Sequence, residues 1–98
     1  MEIIKNVSGE TLTIEVKGRL NTDTAPQLEA AINEIGAETK KLVLNLAGLE
    51  YISSAGLRVL LIAQKKMNKQ GAMLVKNVNE NVMNVLEMTG FSDILVIE

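Results

Sequence analysis

The chain contains no cysteine, no histidine and no tryptophan. Without thiols or imidazoles it has no cysteine nucleophile, no histidine general base and none of the ligands that build the commonest zinc sites. Its aromatic side chains are Tyr51 and Phe91 alone, so a core has to be assembled from Leu, Ile, Val, Ala and Met. Scarce aromatics and a formal net charge of -2 also speak against a nucleic-acid partner. Such a partner calls for a basic face towards phosphates and rings on which bases stack. No apolar run approaches a membrane span, and the opening "MEIIKNVSGE" lacks the basic start and apolar stretch of a signal peptide. A cytoplasmic protein without membrane insertion is the expectation, and the lack of cysteine is compatible with it.

What is present suits a folded domain. The 98 residues are 47% hydrophobic and 22% charged, enough apolar material for one core and far from the composition of a disordered chain. No repeat, linker or low-complexity tract divides the sequence, so one domain over 1–98 is expected.

Leu12, Ile14 and Val16 alternate with Thr13, Glu15 and Lys17, the period of a half-buried strand. With the turn residues Ser8-Gly9 before it, the run predicts a hairpin over 2–17, which Gly18 ends. "TAPQLEAAINEIG" (24–36) predicts a helix: Thr24 and Gln27 fit a capping box, Pro26 suits a first turn, and Gly36 offers a left-handed stop. Its apolar stripe is Leu28, Ala31, Ile32 and Ile35. "KLVLNL" (41–46) is apolar on both faces except at Asn45, the pattern of a central parallel strand covered on both sides.

Residues 55–70 form the longest helical pattern, with Leu57, Leu60, Leu61, Ala63 and Met67 on its apolar side. Lys65, Lys66 and Lys69 complement the dipole at its end, and Gly71 closes it. A strand at 72–75, a helix over "NENVMNVLEMTG" (79–90) and a terminal strand "DILVIE" (93–98) complete the chain. The predicted order is ββαβαβαβ. Strand–helix–strand units cross right-handed and make their strands parallel, so the fold class is α/β with a mixed sheet of about five strands. In such sheets functional loops gather at the carboxyl ends of the parallel strands. Asn45, Ser53, Ser54 and the loop from Asn21 to Thr24 belong to that side.

The segment "YISSAGLRVLL" (51–61) carries the most specific signal. Ser53 and Ser54 precede the helix, where a hydroxyl can cap an otherwise unpaired N–H. Three features go beyond a cap. Ala55 and Gly56 are small, and a glycine in a first turn weakens the helix with no gain in packing. Arg58 puts a cation where the dipole disfavours it, unless it meets an anion. Two hydroxyls exceed what one cap uses. A helix N-terminus also favours negative charge, so a phosphate on serine would be well placed there and would add about one to two negative charges to an otherwise apolar docking surface.

These segments, from the opening hairpin through "GRLNTDTAPQLEAAI" and "KLVLNLAGLEYISSAGLRVLL" to "VMNVLEMTGFSDIL", resemble the STAS domain, and specifically the small bacterial anti-sigma factor antagonists. The resemblance spans essentially the whole chain. It implies partner switching: the protein binds an anti-sigma factor that is also a serine kinase, a sigma factor is released, the kinase phosphorylates one serine, and a serine phosphatase restores it. The matched serine is Ser54, with Ser53 the second candidate. The implied partner-facing residues are Asp23, Thr24, Asn45, Ser53, Ala55, Gly56, Leu57 and Arg58. No catalytic residue, metal or cofactor is implied. The chain departs from the common Asp-Ser-Ser/Thr-Gly-Leu-Gly pattern at Ser53, Ala55 and Arg58, and carries Asn45 where an aspartate is frequent.

Plainer readings stand beside these. Ser53 reads as the cap, Asp23 as a solvated turn residue, Thr24 as a cap, Asn45 as the partner of a backbone group at the strand end, and Arg58 as a merely exposed cation. The methionines at 67, 73, 83 and 88 read as core filler. A second functional reading is a STAS scaffold subunit of a transport or signalling assembly, without phosphorylation and with a larger, constitutive interface. An enzymatic reading is weak: there is no phosphate-cradling loop, no paired carboxylates lie near the serines, and no lysine base lies near them in sequence.

Overall fold

A computed structural model describes all residues, Met1–Glu98. In chain order it contains β1 (Glu2–Ser8), β2 (Thr11–Leu20), α1 (Ala25–Asn33), β3 (Lys41–Asn45), β4 (Leu49–Ile52), α2 (Ser54–Asn68), β5 (Ala72–Lys76) and α3 (Glu80–Met88), followed by a short 3-10 helix, Phe91–Asp93. The sheet runs β1-β2-β3-β5, with β4 attached to the far end of β2. The β1–β2 hairpin is antiparallel, and β2–β3, β2–β4 and β3–β5 are parallel. The mixed α/β sheet of five strands is therefore as expected, although one of its strands is not.

The expected terminal strand over 93–98 does not form. Gly90, at a φ of 81°, reverses the chain into the 3-10 helix, and only Ile97 bridges to Val75. The fifth strand is instead β4, a four-residue segment between β3 and α2. It pairs with β2 because Gly18 does not end that strand. With a φ of 99° Gly18 bends it through a register shift at Gly18/Arg19. One strand thereby pairs with β3 over Thr11–Glu15 and with β4 over Gly18–Leu20.

The three helices share one core with one face of the sheet. Leu28 and Ile32 of α1, Leu57, Leu60, Ala63 and Met67 of α2, and Val82 and Leu86 of α3 pack with Leu12, Ile14, Leu42, Leu44, Met73 and Val75. Side chains alternate along a strand, so Thr13, Val43, Asn45 and Leu74 point to the opposite face. That face carries no helix, and β3 is thus covered on one side rather than two. Val43, flanked there by Thr13 and Leu74 on the paired strands, is nevertheless buried. Among the methionines, Met67 and Met73 are core residues, whereas Met88 is 86% exposed.

Two helix ends differ from expectation. The Thr24 side chain makes no cap bond to α1, and α1 stops at Asn33 with Glu34 as a right-handed C-cap, before Gly36 is reached. Gly71, after α2, serves a close approach: a Cβ there would collide with the Lys40 carbonyl. Only α3 is capped by a side chain. Asn79 Oδ1 accepts from the Val82 amide at 2.9 Å, while its Nδ2 donates to the Leu49 carbonyl at 2.6 Å, tying α3 to β4. Asn79→Ala removes both bonds and is expected to destabilise the fold by about 1.5 kcal/mol, read as a lower urea midpoint at unchanged slope. No helix is long and apolar enough to cross a membrane.

Candidate functional site

The pairing of β2 with β4 brings the two predicted regions side by side. Arg19 pairs with Tyr51 and Leu20 with Ile52, and the Ser53 amide extends the ladder by donating to the Leu20 carbonyl at 2.9 Å. The chain then leaves β2 into the loop Asn21–Thr24 and leaves β4 into α2. Both exits lie at the carboxyl end of a parallel strand.

The loop is built by Asn21, whose role the sequence does not announce. Its Oδ1 accepts from the amides of Asp23 (3.0 Å) and Thr24 (3.1 Å), and its carbonyl accepts from Ala25 at 2.7 Å. Thr24 closes the turn from the other side. Its hydroxyl donates to the Arg19 carbonyl at 2.7 Å and accepts from the Asn21 amide at 2.9 Å. Thr24 thus staples the loop to β2 instead of capping α1. Asp23 is left exposed at the tip, with its carboxylate in no ion pair.

At the start of α2 the two serines have different surroundings. Ser53 occupies the N-cap position with extended backbone, yet its hydroxyl caps nothing. That oxygen is buried without a hydrogen-bond partner. Ser54 is the first helical residue and is exposed. Only the Leu57 amide is paired in this turn, with the Ser53 carbonyl at 2.9 Å. The amides of Ser54, Ala55 and Gly56 have no acceptor, which leaves the positive end of the helix dipole uncompensated beside the Ser54 hydroxyl.

Gly56 and Leu57 face inward. The sequence gives Gly56 no packing role, but the structure does: a Cβ there would stand 2.7 Å from Leu20 Cγ and 2.8 Å from Ile52 Cγ1. Glycine lets α2 sit directly on the ends of β2 and β4 and so fixes where Ser54 emerges. Arg58 is exposed and does meet an anion, Glu29 on α1, with Nη1 3.4 Å from Oε1. Arg19 lies over the ring of the half-exposed Tyr51, its guanidinium carbon 4.4 Å from the centroid, and adds a cation–π pair at the rim.

Asn45 stands apart from this group. On the open sheet face its amide reaches Glu15 at 3.5 Å, and its Oδ1 accepts from the Ala47 amide and from Asn77, each at 3.0 Å. These bonds shape the β3–β4 turn. No cluster of three or more acidic, histidine or cysteine side chains is arranged to hold a metal ion.

Among known proteins, the STAS domain model matches residues 2–98. BtrV of Bordetella bronchiseptica, named for an anti-sigma factor antagonist, is 37% identical over 81 residues, covering 81% of this chain and 70% of its own. An anti-sigma factor antagonist from Mycobacterium paratuberculosis has the same fold, with a TM-score of 0.88 at 24% identity over 98% of this chain and 83% of that one. The phosphorylated form of the Bacillus cell fate determinant SpoIIAA matches with a TM-score of 0.77 at 18% identity, covering 99% of this chain and 91% of its own. From its second residue to its last, and with a relative at this level of identity, the chain belongs to the STAS domain family.

Proposed function

We propose that the protein is an anti-sigma factor antagonist. Through the surface formed by the Asn21–Thr24 loop and the start of α2, it binds a serine-kinase anti-sigma factor in the cytoplasm, and a sigma factor is set free. Phosphorylation of Ser54 ends the complex, and a serine phosphatase renews the antagonist. The name carried by BtrV supports the antagonist role. The observation that supports Ser54 as the switch is the contrast between the two serines. A kinase can reach only a hydroxyl that is accessible, and Ser54 is exposed whereas the Ser53 oxygen is buried. Phosphate on Ser54 would meet the unpaired amides of the first turn and the favourable end of the dipole, so the fold accommodates it without rearrangement. The match to SpoIIAA in its phosphorylated form is consistent with a STAS fold that carries phosphate. No step of this reading asks the chain to act as a catalyst.

The test is incubation with ATP and candidate serine-kinase anti-sigma factors, followed by intact mass and site mapping. One added phosphate is expected on the parent protein and on Ser53→Ala, and none on Ser54→Ala. A phosphate that maps to Ser53, or a lasting complex that never gains phosphate, would overturn the assignment. The second outcome would favour a constitutive scaffold.

A further inference from the structure

Arg58 follows Ser54 by four residues on α2, so both lie on one face of the helix. Helical side chains lean towards the N-terminus, and the surface that a residue covers lies over the turn preceding it. For Arg58 that turn is the one opened by Ser54. The guanidinium is at present held by a single contact to Glu29, at 3.4 Å, with 67% of the Arg58 side chain and 32% of the Glu29 side chain exposed. Such a pair is weakly held, because water screens both charges and two long side chains must be kept in one arrangement.

The other charges at this end of the molecule are differently placed. Arg19 is engaged on the Tyr51 ring, Asp23 is an exposed anion in the neighbouring loop, and Lys65 and Lys66 sit about three turns further along α2. Arg58 is therefore the cation on α2 that lies about one turn from Ser54 on its face, whereas Lys65 is about three turns away.

We propose that Arg58 is the counter-ion of a phosphate carried on Ser54 and that it leaves Glu29 to take up that role. The inference rests on the reading of Ser54 as the phosphorylated residue. A phosphate dianion carries more charge than a carboxylate, and its oxygens match the planar guanidinium fork in two parallel bonds. It is also on the same helix, so no second element has to be held in place. The exchange moves negative charge as well as adding it. The phosphate is partly neutralised at Ser54, and the Glu29 carboxylate becomes unpaired on α1. A partner resting across α1 and α2 then meets changed charge on both helices, although only one serine was modified.

The test uses the full chain with phosphoserine built in at position 54 during translation, in four versions: parent, Arg58→Ala, Glu29→Gln and both together. Phosphorus NMR follows the second ionisation of the phosphate, which lies near about pH 6 for free phosphoserine. A paired cation favours the dianion and lowers the midpoint, so Arg58→Ala is expected to raise it by about half a pH unit, a roughly threefold change in the ionisation constant. The rise is expected again when Arg58→Ala is added to Glu29→Gln, a comparison free of the Glu29 charge. Equal midpoints with and without the guanidinium would overturn the proposal, and so would a difference that disappears in the Glu29→Gln background. A failure of kinases to phosphorylate Ser54 would instead sink the switch and leave this measurement standing, because the phosphate is installed without a kinase.

Discussion

Gly56→Ala lowers the thermal midpoint by roughly 10 °C, against what helix propensity alone dictates. Alanine in place of glycine inside a helix is worth about 1 kcal/mol in its favour. At position 56, however, the added methyl would lie 2.7 Å from Leu20 Cγ, 2.8 Å from Ile52 Cγ1 and 3.0 Å from Leu20 Cδ2. Leu20 is fully buried and Ile52 nearly so, so neither can swing out to solvent. Overpacking a site of this kind costs about 3 kcal/mol. Packing outweighs propensity by about 2 kcal/mol, which corresponds to the stated shift for a chain of this length. Calorimetry or a circular-dichroism melt reads the sign directly. A raised midpoint would mean that the first turn of α2 lifts freely off the sheet. The clash also predicts coupling: Leu20→Ala opens a cavity in the parent protein, but it should cost markedly less beside Gly56→Ala, where the new methyl fills part of the space.

The same glycine shows what a sequence can and cannot convey. Its small size is visible at once, and access for a partner is a natural reading. The packing reason depends on Leu20 and Ile52, which become its neighbours only when β2 pairs with β4. That pairing was not legible, because β4 is four residues long and β2 reaches it through the left-handed bend at Gly18. Local periodicity was legible in β2 and α1, where the Leu12-Ile14-Val16 alternation and the Leu28-Ala31-Ile32-Ile35 stripe are both buried as expected, but in α2 the expected Leu61 is half-buried while Val59 and Gln64 are buried. "DILVIE" misleads because its β-prone composition is overruled by the turn at Gly90 and the 3-10 helix that follows.

The loop after β2 and the start of α2 are marked out in the sequence by topology and by the family resemblance, while the contacts that tie them together are not. Sequence order puts Asn45, at the end of β3, on the same carboxyl side of the sheet as Ser54. Yet Leu42 and Leu44 face the core, and the two-residue period then sends Asn45 to the open face. The Arg58–Glu29 pair joins residues 29 apart in sequence, and no local pattern encodes it. Whether Ser53 or Ser54 is the accessible hydroxyl turns on a single-residue difference in where α2 begins.

Phosphorylation of Ser54 is expected to weaken the complex with the anti-sigma factor by at least about a hundredfold, while leaving the free protein as stable as before. The two halves of this prediction have separate physical origins. In the proposed complex the partner would cover the exposed hydroxyl, and a phosphate there would have to shed water inside an interface shaped for a neutral group. Arg58 and the helix dipole neutralise such a phosphate only in part, and burying the remaining charge costs about 3–5 kcal/mol, at least two orders of magnitude in affinity. In the free protein, the phosphate stands at the amides of Ser54, Ala55 and Gly56, where a negative charge is favoured by about 0.3–1 kcal/mol. Titration calorimetry with the partner, and melts of the two forms alone, test the halves independently. Ser54→Ala should bind as the parent does, since it adds no charge, and Ser54→Glu should weaken binding less than phosphate because it carries one charge rather than nearly two. Equal binding by both forms would place the partner away from α2. Lost binding accompanied by a falling melting temperature would mean that phosphate disrupts the fold. The switch reading requires affinity to drop while the melting temperature holds, and a charge placed at a helix start and beneath a partner delivers that combination.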